Sequence, residues 1–233
     1  MATATGPPRD GHGLYFALLA GVAYACAVPL FFRALKHGRL SLVTPIVAAD
    51  GTIASLFAIL TGDPVAAATV FAIGLLGAGV FLIAVVSEPG LPDGGPHDWN
   101  ARRTVVNALV ASCFFGTALF ASGSAVELGA PWVISLTRTT AAIASLAMVI
   151  RIGVPRSLEL FLWAGLVGAL DVAGAFAYLE AAAIDLPLAA VMASQAAGFG
   201  VVSGIVFMNE RLERHQVVGV ALILLGIVWA ALT

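Results

Sequence analysis

Long apolar runs, each about the length that crosses a bilayer as a helix, alternate along this chain with short polar or Gly/Pro breaks. Eight such runs are readable, at about 13–35, 41–60, 65–86, 104–127, 131–151, 158–180, 187–208 and 214–232. The breaks carry helix-ending residues: Lys36-His37-Gly38-Arg39, Thr61-Gly62-Asp63-Pro64, Gly129-Ala130-Pro131, Asp185-Leu186-Pro187 and Asn209-Glu210-Arg211-Leu212. Pro131 and Pro187 sit where new helices start, a position their missing N–H favours. No run alternates apolar and polar residues, which excludes a barrel. The pattern predicts an all-α, polytopic membrane helix bundle of eight transmembrane helices. Residues 1–12 read as a polar tail and 87–103 as a linker. The linker separates three spans (13–86) from five (104–233).

Composition supports the same reading. The chain is 61% hydrophobic and 10% charged, against about 25% charged in soluble domains. A multi-pass protein of the cell membrane is expected, with the lipid bilayer as its main partner and no nucleic-acid contact. Cys26 and Cys113 lie inside apolar runs and read as small buried side chains. The first run follows a polar tail and is too long for a signal-peptide core.

Residues 6–86 can be laid over residues 153–233 without a gap. Gly6-Pro7-Pro8-Arg9 falls on Gly153-Val154-Pro155-Arg156, Gly21 on Gly168, Ala34 on Ala181, Gly51 on Gly198 and Gly79 on Gly226. Turns fall on turns and apolar runs on apolar runs. Five spans separate the copies, an odd number, so they cross the membrane in opposite directions. That is the inverted repeat of many secondary transporters.

Positive charge is uneven. Arg33, Lys36, Arg39, Arg102, Arg103, Arg151, Arg156, Arg211 and Arg214 follow odd-numbered spans, whereas the opposite face has Arg9. This places those connections in the cytoplasm and both termini outside.

The closing segment resembles the EamA domain of the drug/metabolite transporter superfamily. The residues that carry the likeness are Ala182–Pro187, the turn Asn209-Glu210-Arg211-Leu212, and Gly219-x-x-Leu222-Ile223-x-x-Gly226. The first copy departs from it, with Thr61-Gly62-Asp63-Pro64 at the turn. The resemblance implies ten-helix carriers with five helices per repeat and both termini in the cytoplasm, the reverse of the charge count. Against that pattern the first repeat lacks two helices (3 + 5), as an upstream start or a truncated gene would produce.

Ionisable groups at membrane depth are functional candidates because each is costly there. Asp50, Arg138 and Asp171 lie mid-span. Arg138 could neutralise either carboxylate but not both fully. The other would be protonated, solvated or engaged with substrate, which suits proton coupling. Tyr24 falls on Asp171 in the repeat, and Gln195 on Ala48 beside Asp50, so Tyr24, Asp50, Asp171 and Gln195 are expected to converge. Asn107, Ser135 and Thr137 are weaker candidates. Pro29 and Pro45 are candidate helix breaks, Trp132 and Trp163 read as anchors near span ends, and Glu210 reads as a turn residue.

The expected function is a secondary transporter, an exporter or exchanger, of a small polar metabolite such as an amino acid. It would work by alternating access, with proton coupling as one mode. The alternative is a non-transporting membrane protein or subunit that needs a partner helix bundle, a second copy (a homodimer) among the candidates. An enzyme is not expected: Gly123-Ser124 has no His within a span to serve as base. His12, His37, His97 and His215 lack metal-ligand spacing, so neither metal nor cofactor is expected.

Overall fold

The computed structural model describes residues 11–38, 40–62, 67–84, 101–152, 157–193, 203–204, 207 and 214–232. Among them there is helix and no strand. In chain order the helices are α1 (Gly11–His37), α2 (Leu40–Val47), α3 (Asp50–Thr61), α4 (Ala67–Ala84), α5 (Ala101–Ser124), α6 (Ala130–Ile152), α7 (Leu158–Ala182), α8 (Leu186–Ala193) and α9 (Arg214–Leu232). A 3-10 turn, Val126–Leu128, joins α5 to α6. Among the described residues, four stretches are long and apolar enough to cross a membrane: Gly11–Lys36, Val43–Thr61, Arg102–Ser124 and Leu158–Ala182. Large apolar side chains stand outward on the bundle, such as Phe161 at 76% and Ile150 at 73% exposure. Such a surface suits lipid and not water.

Local chemistry sets the ends. Ser157 accepts from the Leu160 N–H at 3.5 Å and caps α7. The Asp185 carboxylate accepts from the Leu188 N–H at 2.9 Å at the start of α8. Gly62 stops α3 with φ of 101°, a conformation other residues resist, and its N–H bonds back to Ala58 and Ile59.

The run at 41–60 is not one helix. It breaks at Ala48-Ala49, where the Ala49 N–H reaches back only three residues, to the Ile46 carbonyl at 3.3 Å. Pro45 cannot donate a helical hydrogen bond, which weakens the ladder just before the break. Asp50 then opens α3, its carboxylate accepting from the Gly51 N–H at 2.7 Å. By contrast Pro29 lies inside the unbroken α1.

The core is built mainly of alanine. Ala17, Ala20, Ala27, Ala34, Ala54, Ala58, Ala72, Ala108 and Ala111 are all fully buried. Membrane helices have little hydrophobic force between them, so small side chains that let backbones approach supply the packing. α1 packs on α5 and α6, α3 on α5 and α8, and α4 on α9. At the α4–α9 crossing the approach is reciprocal. A Cβ on Gly79 would lie 2.6 Å from the Gly219 carbonyl oxygen, and one on Gly226 would lie 3.2 Å from that of Ala72. Ser55 links α3 to α8, its Oγ lying 2.8 Å from both the Gly51 and Pro187 carbonyl oxygens. Cys26 and Cys113 are exposed on the helix surface, contrary to the expectation of burial. Their membership of apolar runs gave depth in the bilayer, but not the direction in which each helix face turns.

Candidate functional site

A cavity of about 630 Å³ opens between α1, α3, α5, α6, α7 and α8. Tyr24, Asp50, Arg138 and Asp171 all line it. The helices bring together four of the five residues singled out from the sequence; the fifth, Gln195, lies outside the described residues. Of the weaker candidates, Thr137 is on the cavity wall.

Arg138 is the centre of the polar cluster. Its Nη2 lies 2.9 Å from Asp171 Oδ2. Its guanidinium also lies over the Tyr24 ring, 4.4 Å from the centroid, a cation–π geometry. Nη1 is buried and has no hydrogen-bond partner among the described residues. The pair is not sealed: the side chains are 26% and 39% exposed, so a ligand in the cavity can compete for either partner.

α6 is held to α1 at this point. Gly21 lets the helices approach so closely that a Cβ there would lie 2.5 Å from Thr140 Cβ. The adjacent Thr137 hydroxyl donates to the Ala17 carbonyl at 3.4 Å. This crossing presents Arg138 to Tyr24. The Tyr24 ring is braced from its other neighbour, Phe115 of α5, in an edge contact with centroids 5.6 Å apart.

Asp50 differs from Asp171. No cationic side chain lies within 4.0 Å of it among the described residues. Its stabilisation comes from the Gly51 N–H and the first turn of α3, where the free N–H groups and the helix dipole favour negative charge. The cavity therefore offers a paired but partly exposed cation, and an anion without a counter-ion among the described residues. Such a surface can hold a small molecule that carries both charges. The rest of the wall is apolar or weakly polar, from Phe115, Leu119, Val133, Ile134 and Met192.

Tyr178 was not among the candidates. It lines the cavity and donates its hydroxyl to the Leu119 carbonyl at 2.9 Å, tying α7 to α5. A signal was present: Tyr178 follows Asp171 by two helical turns, which puts both on one face. A second depression of about 640 Å³ lies among the helix ends, with Phe120, Gly123 and Leu186 in its wall. Among the described residues no group of three or more His, Cys, Asp and Glu side chains is placed to hold a metal. Trp163 stands outward near the start of α7 at 59% exposure, while Trp132 packs partly buried against the cluster around Val133 and Leu179.

No protein-family model matches the sequence, and no curated protein matches it. The fold is nevertheless shared with a protein of known crystal structure. The two superpose with a TM-score of 0.58 at 18% identity, over 99% of this chain and 89% of the other. At that identity the likeness concerns the fold alone.

Proposed function

We propose that this chain is a multi-pass carrier of the cell membrane, of the EamA type. It moves a small zwitterionic metabolite such as an amino acid through the cavity by alternating access, as an exporter or exchanger. The observation that carries the reading is the charge layout of that cavity. Arg138 keeps an unpartnered buried nitrogen, and Asp50 sits without a cation at the break of a membrane helix. A substrate carboxylate would pair with the partly exposed Arg138 guanidinium in competition with Asp171, and its ammonium group with Asp50. Broken helices at mid-membrane are the usual place for such sites.

The eight-span, inverted-repeat topology belongs to this proposal. It is supported by the α4–α9 crossing, where Gly79 and Gly226, equivalent in the two copies, each press against the other's helix. Reciprocal contacts of this kind accompany a twofold relation.

Proton coupling follows from having two carboxylates and one cation in the cavity. Asp50→Asn and Asp171→Asn are each expected to abolish amino-acid uptake driven by a pH gradient in proteoliposomes. Exchange at equal pH should survive better in the variant whose carboxylate carries the proton. Unchanged gradient-driven uptake in both variants would contradict the coupling.

A second reading has its own observation. An 18-residue stretch of α7 contains no buried residue, which favours a subunit that works against a partner.

A further inference from the structure

Charge on the cavity wall does not balance. Among the described residues the wall carries three charged side chains, Asp50 of α3, Arg138 of α6 and Asp171 of α7. α1 and α7 add two phenols, Tyr24 and Tyr178, and α5 and α8 bring no titratable side chain to the wall. Two carboxylates and one guanidinium leave one negative charge in excess. A zwitterion cannot remove it, because its own charges cancel. Once its carboxylate competes Asp171 away from the guanidinium and its ammonium group takes Asp50, the Asp171 carboxylate is left without a cation. An unbalanced charge at membrane depth is costly, so a cavity that crosses the membrane loaded gains from a second positive group on its cargo.

The surroundings of Asp171 accommodate such a group. Its side chain is 39% exposed while still paired with Arg138 at 2.9 Å, so the carboxylate keeps an open side. Gly174 and Ala175 follow it by three and four residues, hence on its own face of α7, and both border the cavity. A Cβ on Gly174 would meet nothing within 4 Å, so there is room beside the carboxylate. Leu119, Ile134 and Met192 line the same cavity and suit a methylene stem, the part of a basic side chain that packs on apolar surface. Resting on the carrier reading above, we infer that the cargo is a diamino acid of the lysine type, whose second ammonium group Asp171 receives. Its one carboxylate and two ammonium groups then match the guanidinium and the two carboxylates of the wall. A neutral amino acid fits the same site only with a proton at Asp171, so the charge of the cargo decides how many protons travel with it.

The test is calorimetric titration of the purified full chain with L-lysine and with L-norleucine, which has the same stem and no terminal amine. Two buffers of different ionisation heat report the protons taken up. At about pH 7, where the amino groups of both ligands are charged, lysine should bind at least about tenfold more tightly, the effect of one charge-assisted hydrogen bond. Norleucine should take up a proton more than lysine does. Asp171→Asn should bring both differences close to zero, and Asp171→Glu should restore them. The proton difference is read in the unaltered chain, so it decides the matter even where a variant does not fold. Equal affinity and equal proton uptake for the two ligands, both weakened by Arg138→Gln, would overturn the diamino-acid assignment and leave the carrier reading standing. Binding of neither ligand, or affinities that Arg138→Gln leaves unchanged, would overturn both. A lysine preference that survives Asp171→Asn would overturn the role given to Asp171.

Discussion

Arg138→Gln is expected to abolish transport, with uptake falling by at least about 100-fold. The substitution removes the Asp171 ion pair at 2.9 Å, the cation over Tyr24 and the partly exposed charge offered to substrate together. Two carboxylates would then share a low-dielectric cavity with no cation, and one unpaired charge at membrane depth already costs about 3 kcal/mol. Lysine should rescue little. A point charge can pair with Asp171, but it cannot also lie flat on the tyrosine ring and present a second donor. The swap Arg138→Asp with Asp171→Arg separates the roles. If the pair only holds α6 to α7, the swap restores both folding and uptake. If the guanidinium receives substrate from α6, the swap restores the melting temperature and not the uptake, and that is the expected outcome. Thermal unfolding in detergent and uptake by the same preparations give the two readings.

Gly21→Leu is expected to be the most damaging substitution for assembly. The new side chain would have to enter space held by Thr140 Cβ and the Thr137 carbonyl. Forcing even a few methylenes into a packed site costs about 1–3 kcal/mol, and here the obstacle includes backbone, which cannot rotate away. The α1–α6 crossing would open, and with it the Tyr24–Arg138 contact. The purified variant should aggregate or lose its cooperative melt. Gly168→Leu, the equivalent change in α7, should melt like the parent chain, since nothing lies within 4 Å of the new Cβ. Equal damage from both substitutions would mean that the two helices have the same surroundings, against what the structure describes.

Much of this fold could be read from one-dimensional signals. The polar and Gly/Pro breaks placed α1, α5, α6, α7 and α9 within a few residues of their observed ends, because a helix end must satisfy its free backbone groups and only a few residue types do so. The break in the run at 41–60 was half legible. Pro45 marked the region, but the new helix begins at Asp50, whose carboxylate accepts from the Gly51 N–H in its first turn. The site was legible where chemistry is rare: charges inside apolar runs gave Asp50, Arg138 and Asp171, and the repeat added Tyr24. The sequence did not say which carboxylate Arg138 would choose. That depends on how α6 is rotated, and the rotation is set by the Gly21–Thr140 approach, a contact between residues far apart in the chain. The same ignorance of rotation put Cys26 and Cys113 inside when they face out, and passed over Tyr178.

The central claim is that the cavity around Arg138 and Asp50 binds a zwitterion and carries it across the membrane. Counterflow in proteoliposomes tests it most directly. Vesicles holding the purified chain are loaded with a mixture of unlabelled amino acids and diluted into trace amounts of each labelled one. The account predicts a transient accumulation of at least one labelled amino acid that is absent with Arg138→Gln. Competition by the same compound lacking either its carboxylate or its ammonium group should be weak. No accumulation of any zwitterion by well-folded protein, or equal accumulation by the Arg138→Gln variant, would contradict it.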